Sequence, residues 1–352
     1  MNSVVSPRHT VDAIVVPASR PGGYVQADCQ LAEGLGCTLV VLCSQEIRAK
    51  KVMELVDTPR TEVVALDFDR DHSAPIRNAF GTSELLLHTP FHNDSEASAK
   101  RNTAIALSHL TGWNTVFFLD DDVVIDDPDH IRSAAALLDK YAVTGLTVHT
   151  FPDLSVATHA YRRLGGQAKP FLAGGVLMTA PRRRKSFFPE IYNDDAFYLL
   201  DEHSFPPLAL TGLATQDEYD PFDDPARAIQ QEFGEVIAIG LHYRTRVGAK
   251  PHEADRDFWR DYLPIRRRFL DHLSTEYHAR MDTEPDSAKI IAAIQAAMDT
   301  LSLITPAFCT AYVDAWLRDR TSWIRCLDSI SDKRMTTVDA VAELGLPALV
   351  LS

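Results

Sequence analysis

Apolar positions in the first half of the chain come in short unbroken runs rather than in strict alternation. "DAIVVPAS" (12–19), "CTLVVLCS" (37–44), "EVVALDFD" (62–69) and "TVFFLDDDVVIDD" (115–127) are such runs. Between them "ADCQLAEGLG" (27–36), "AKKVMELVDT" (49–58) and "EASAKRNTAIALSHLTG" (96–112) carry helical spacing, and Gly36 and Gly112 mark two helix ends. Strands without alternation, each followed by a helix, predict an α/β fold: a mostly parallel, Rossmann-like sheet flanked by helices. Ligands of such sheets lie beyond the carboxyl ends of the strands. "ASRPGG" (18–23) and the triple aspartate (120–122) both fall there.

The middle of the chain is less regular. "YAVTGLTVHT" (141–150) reads as another strand, and "FLAGGVLMTAP" (171–181) as an apolar stretch broken by Gly174 and Gly175. "GEVIAIGLHYRT" (234–245) reads as the last strand. The acidic "FPEIYNDDAFYLL" (188–200) and the loop "DEYDPFDDPAR" (217–227) lie between them, and long irregular segments inside a compact domain are usually functional or disordered. From about residue 250 the pattern turns amphipathic and helical, in 255–281, 286–304 and 307–330. The expected division is a domain of residues 1–250 and a helical C-terminal extension of 251–352, which offers a surface for a homodimer. Trp259, Trp316 and Trp323 read as helix packing, and the basic "IRRRF" (265–269) as a solvated face.

Charge narrows the partners. The formal net charge of −14, from 35 basic against 49 acidic side chains, lacks the cationic footprint that nucleic acid or an anionic membrane needs. A small phosphorylated ligand stays compatible, since one arginine or metal ion inverts the sign locally. Five cysteines without a C-x-x-C pair speak against disulfide scaffolding and structural zinc. No apolar run has the roughly 18 residues of a membrane span, and the start shows no signal peptide. The expected location is the cytoplasm.

Three adjacent carboxylates at a buried strand end repel one another unless something positive sits there. Asp120, Asp121 and Asp122 are candidates to hold Mg2+ or Mn2+ together with the diphosphate of a nucleotide ligand. In an extended segment Asp120 and Asp122 point to the same side. Lys100 and Arg101 lie in the first turns of the preceding helix, where cations oppose the helix dipole, so helix propensity does not explain them. Arg20 follows the first strand beside a glycine pair that lets backbone approach a ligand.

The order "PASR", "KRNTAI", "FLDDDVVI", "FLAGGVLM", "FPEIYNDDAFY" over residues 11 to 245 resembles the GT-A glycosyltransferases, closest to the family-2-like enzymes. The resemblance implies metal and sugar-nucleotide binding at Asp120, Asp121 and Asp122. It implies a donor pocket with Lys100, Arg101 and Asn102, and nucleoside contacts from Pro17, Ala18 and Arg20. Gly174 and Gly175 would lie beside the donor sugar. Asp194 and Asp195 would face the acceptor, one of them taking the proton from the attacking hydroxyl in an inverting enzyme. His242 would complete the metal shell, and Arg244 with Arg246 would reach the departing diphosphate. Two departures stand out. The acidic residue after the second strand is replaced by "LCSQ", leaving Ser44, Gln45 or Asp67 to hold base or ribose, and the late Q-x-x-R-W segment of processive synthases is missing.

The expected activity is therefore metal-dependent transfer of a sugar from a nucleoside-diphosphate sugar to a soluble small-molecule hydroxyl. Two rivals remain: a nucleotidyltransferase resembling sugar-phosphate pyrophosphorylases, faintly echoed by "ASRPGG", and a non-catalytic nucleotide-sugar-binding protein of the same fold.

Overall fold

The computed structural model describes residues 10–57, 59–68, 80–93, 95–167, 172–331 and 333–351. Thr58, Asp69 and Phe171, at the ends of three predicted segments, lie outside them, as does the start of the chain. In chain order the elements are β1 (Ala13–Ala18), α1 (Val25–Leu35), β2 (Thr38–Cys43), α2 (Ala49–Leu55), β3 (Val63–Asp67), α3 (Gly81–Leu86) and α4 (Ala97–Thr111). Then come β4 (Val116–Leu119), β5 (Val123–Val124), α5 (Pro128–Leu137), β6 (Val143–Val148), α6 (Val156–Arg163), β7 (Val176–Thr179) and α7 (Asp194–Leu199). The remainder is β8 (Leu208–Gln216), α8 (Pro225–Arg246), α9 (Arg256–Ala279), α10 (Ser287–Leu303), α11 (Pro306–Ile330), α12 (Thr337–Glu343) and β9 (Ala348–Leu351).

The strands form one sheet in the order β5-β8-β6-β7-β4-β1-β2-β3-β9. Strands β3, β2, β1 and β4 are parallel, as the apolar runs predict. The sheet as a whole is mixed rather than mostly parallel. β7 runs antiparallel between β4 and β6, and β5 and β9 pair antiparallel with β8 and β3. Neighbouring residues of β1 and β2 serve opposite cores. Ala13, Val15, Val40 and Leu42 face one, and Ile14, Val16, Leu39 and Val41 the other. That two-sided burial removes the alternation a half-exposed strand would show.

Segment 234–245 is not a strand. It belongs to α8, a helix of 22 residues. Asp224 caps it by accepting from the Ala226 N–H (2.8 Å), with Pro225 in the first turn. Val236, Ile237 and Leu241 lie on its buried face, while Ile239 and Tyr243 are exposed. An N-cap aspartate followed by proline is a helix start, and "DDPAR" carried that signal inside a segment read as loop.

Helix α4 is buried along residues 98 to 110, held between the sheet and the C-terminal helices. From α11, Asp319 caps α3 through the Gly81 and Thr82 N–H groups and the Thr82 hydroxyl, each at 2.8 Å. β9 extends the sheet beyond β3. Within "IRRRF", Arg266 is buried in a two-pronged pair with Glu232 (2.8 and 2.7 Å), so that part of the segment is core and not a solvated face. Trp259, Trp316 and Trp323 are buried, as expected of packing. Among the described residues no single helix is long and apolar enough to cross a membrane.

Candidate functional site

The turn after β1 and the turn after β4 close on one another at the carboxyl ends of the sheet. Asp121 is the clasp. Its Oδ2 accepts from the N–H groups of Ser19 (2.6 Å) and Arg20 (2.9 Å), and its Oδ1 from Arg20 Nη1 (2.7 Å). A Cβ on Gly23 would fall 2.8 Å from the Asp121 carbonyl oxygen, so the turn needs glycine there to come this close. β4 stops at Leu119, and the aspartates occupy a tight turn in which Val123 N–H donates to Asp120 O (3.1 Å). The extended geometry expected for Asp120 and Asp122 is thus replaced by a turn.

The three carboxylates have separate partners. Asp120 accepts from Arg101 Nη2 (2.8 and 3.2 Å). Asp122 meets Arg20 Nη1 at 2.9 Å and accepts from Gln216 Nε2 at 3.3 Å. Burial and the neighbouring Asp120 push the Asp122 carboxyl up to about 6, beyond what Arg20 and Gln216 offset. For Arg20 itself burial works against the charge, but Asp122, Asp121 and Asp120 outweigh it and hold its pKa above the usual value.

Arg101 reaches across to a second acidic pair. Its Nη1 lies 3.2 Å from both oxygens of Asp194, which also accepts from Ser98 Oγ (2.7 Å). Burial opposes the charge on Arg101, but Asp120 and Asp194 outweigh it. Among the described residues Asp195 has no such cation in contact. It accepts from the N–H of Gly174 (2.9 Å) and of Ala196 (2.7 Å). Burial first, and Asp194 second, push its carboxyl up to about 7. The expectation left open which of the pair would take a proton. Asp194 is spent on Arg101 and Ser98, and Asp195 is the one poised near neutrality.

These groups line a cleft of about 790 Å³, together with Pro17, Gly174, Gly175 and His242. That volume is typical of small-molecule sites. A Cβ on Gly175 would lie 2.3 Å from Asp120 Oδ2, so glycine is required by the carboxylate itself. His242 reaches the cleft from α8, not from a strand end, with its ring 5.2 Å from that of Phe205.

Other expected residues stand behind the wall. Lys100 is buried and donates to Ala18 O (2.8 Å) and Ser44 Oγ (2.6 Å), tying β1 to β2, and burial lowers its pKa to about 8. Asn102 makes a two-way bond with the Phe188 backbone, 2.8 Å in each direction. Asp67 accepts from Ala49 N–H (2.9 Å) at the start of α2. Arg244 turns its guanidinium over the ring of Phe258 (5.5 Å), and Arg246 lines the cleft instead.

Asp153, Tyr192, Gln216 and Glu235 also line the cleft, and none of them is among the residues expected there. Tyr192 directly precedes "NDD" and was the one with a local cue. Glu235 was hidden by the strand reading of 234–245.

Among the described residues no three metal-ligating side chains converge. An all-protein cage is therefore absent there. The donor set fits an ion of the Mg2+ or Mn2+ kind, which takes one or two carboxylates and completes its shell with ligand phosphates and water. The under-compensated Asp122 marks where such charge is wanted.

No family model matches the chain, and no curated protein does. Among solved structures, the mannosyltransferase PcManGT from Pyrobaculum calidifontis, in complex with GDP-Man and Mn2+, is similar at 15% identity and a TM-score of 0.42. The match covers 91% of this chain and 90% of that one. Likeness of that degree is too slight to transfer chemistry from one chain to the other.

Proposed function

We propose that the protein is a GT-A-type glycosyltransferase that takes a sugar from a nucleoside diphosphate and delivers it to an acceptor hydroxyl. One observation carries the reading. A single cleft at the strand ends holds the carboxylate turn Asp120 to Asp122, in which Asp122 is under-compensated, together with a carboxyl poised near neutrality, Asp195.

Asp120 and Asp122 would hold a divalent cation, whose charge offsets that developing on the leaving diphosphate. Arg20, whose side chain is 55% exposed, is placed to turn from the aspartates to the phosphates. Gly174 and Gly175 keep the wall beside the donor sugar flat. The acceptor oxygen bonds to the anomeric carbon as the bond from that carbon to the diphosphate oxygen breaks. The electron pair leaves on the nucleoside diphosphate, and the hydroxyl proton passes to Asp195.

The geometry disfavours a nucleotidyltransferase. A triphosphate cradle needs backbone N–H groups aimed at the ligand, whereas those of Ser19 and Arg20 are both committed to Asp121. A panel of nucleoside-diphosphate hexoses with Mn2+ tests the proposal by release of nucleoside diphosphate. Release is expected from at least one donor and should fall more than about 100-fold in Asp122→Asn. Pyrophosphate released from a nucleoside triphosphate and a sugar phosphate would favour the rival.

A further inference from the structure

A second chamber of about 340 Å³ adjoins the cleft and shares Arg20, Asn93, Asp122, Asp153, Tyr192 and Gln216 with it. Its lining is four side-chain amides, two tyrosines, two carboxylates and two arginines, with no aliphatic side chain among the described residues. The main cleft, by contrast, includes Val148, Leu154, Ile191 and Ile239. A wall made only of hydrogen-bonding groups is costly to cover with an alkyl chain, because each group loses water and gains nothing.

Several of these groups are uncommitted. Gln230 and the Tyr192 hydroxyl have no hydrogen-bond partner among the described residues. Gln231 uses its Oε1 to accept from Val156 N–H (2.9 Å), which leaves its amide hydrogens available. Asp153 accepts from the Tyr219 hydroxyl on Oδ1 (3.0 Å), which leaves Oδ2 available. Both donors and acceptors therefore face one small space, and a hydroxyl group, which is both, satisfies either kind.

The arginines do not make the chamber an anion site. Arg227 is held by Asp223 (2.8 Å) and the Asp220 carbonyl (2.9 Å), and Arg20, paired here with Asp121 and Asp122, serves the donor phosphates on the side of the main cleft. With Arg20 and Asp122 given to the donor and Arg227 neutralised by Asp223, Asp153 is the charge that remains, so no positive charge is left over for a phosphate or carboxylate. From this lining we infer that the chamber is the acceptor subsite and takes an uncharged polyhydroxylated molecule, a neutral sugar or polyol, in preference to a sugar phosphate, a lipid or a hydrophobic alcohol. This rests on the glycosyltransferase reading of the cleft. The sugar hydroxyl projecting from the chamber supplies the oxygen that bonds to the anomeric carbon. The diphosphate leaves with the electron pair, and the hydroxyl proton goes to Asp195.

The test uses the full chain, Mn2+ and whichever donor it cleaves. Candidate acceptors are glucose, mannose, trehalose and glycerol, with glucose 6-phosphate and octanol as contrasts. Neutral sugars or glycerol should raise nucleoside diphosphate release above the rate with water alone and yield a glycosylated product. Gln230→Leu should raise the acceptor KM about tenfold, the loss of roughly one hydrogen bond to a ligand, with little change in the donor KM. Saturation-transfer NMR with the best neutral acceptor and nucleoside diphosphate should show contact that Gln230→Leu weakens. If the donor is cleaved but glucose 6-phosphate or octanol outperforms every neutral acceptor, the acceptor inference falls and the transferase reading stands. If Gln230→Leu changes the donor KM and not the acceptor KM, the chamber belongs to the donor and the inference falls as well. If no donor is cleaved even to water, the transferase reading itself falls and takes the inference with it.

Discussion

Arg101 joins Asp120 on one wall of the cleft to Asp194 on the other, and it does so from inside a buried helix. Arg101→Met would leave two carboxylates without their cation, a loss of about 3–5 kcal/mol that urea denaturation would register as a lower midpoint. Arg101→Lys keeps the charge but lacks the planar fork, and is expected to recover only part of it. Asp195 acts on rate rather than on fold. With its carboxyl pushed up to about 7, it carries a proton at lower pH and cannot accept another. kcat/KM should therefore climb about tenfold per pH unit below 7 and level off above it. Asp122, raised to about 6, adds a second loss on the acid side, since its protonation weakens cation binding. In Asp195→Asn the limb near 7 should vanish, with kcat down roughly 10²–10⁴-fold. A wild-type profile flat across neutrality would remove Asp195 from the base role. The same raised carboxyl carries a sign for stability. The folded chain holds a proton that the unfolded chain releases near the ordinary carboxylate value, so this contribution favours folding at low pH and is lost as pH rises through about 7.

At the scale of elements, what was legible in the sequence was what local pattern controls. β1 to β4 are short, apolar and buried on both faces, so their runs stood out, and Gly36 and Gly112 ended α1 and α4 as expected. β8 follows two prolines and is half-buried for much of its length, so it gave no run to read, although it carries Gln216 to the site. α8 resembles a strand in sequence because Val236, Ile237 and Ile239 mimic one over a few residues, and the capping Asp224 sits well upstream. The triple aspartate was visible as a charge anomaly. Asp153 and Gln216 were not, because only the tertiary fold brings them beside it. β7 and its preceding glycines offer an element-scale test. Gly175→Ala would place a methyl 2.3 Å from Asp120 Oδ2 and force that carboxylate or the strand to move. Activity is expected to fall at least about tenfold, while the far-ultraviolet circular dichroism stays native. Gly36→Ala leaves the new methyl in open space and tests only the left-handed backbone at the end of α1 (φ 68°). It should cost about 1 kcal/mol of stability without touching catalysis.

At the scale of the whole molecule, the helices after residue 250 bear on the site through the scaffold. α11 holds α3 by the Asp319 cap, and the segment leading from α3 to α4 supplies Asn93 and Ser95 to the cleft. β9 covers the far edge of the sheet beside β3, an edge that would otherwise present unpaired backbone groups. Trp259, Tyr312 and Trp316 sit in the same core as Phe118 and Phe188 beneath the cleft. Ending the chain at residue 250 would strip those side chains away, at about 1.5–3 kcal/mol for each large apolar group. For these three alone the loss is about 5–9 kcal/mol, comparable to the roughly 5–15 kcal/mol that keeps a domain folded. The truncated chain is expected to aggregate or to melt without a cooperative transition in calorimetry. Asp319→Ala is the gentler probe, because it removes one carboxylate that three donors share. A destabilisation of about 2–3 kcal/mol is expected, together with weaker donor binding as the loop at Asn93 loosens. A truncated chain that still melted cooperatively and bound donor would mean that residues 1–250 fold by themselves, and that the helices belong to some task other than holding this cleft in shape.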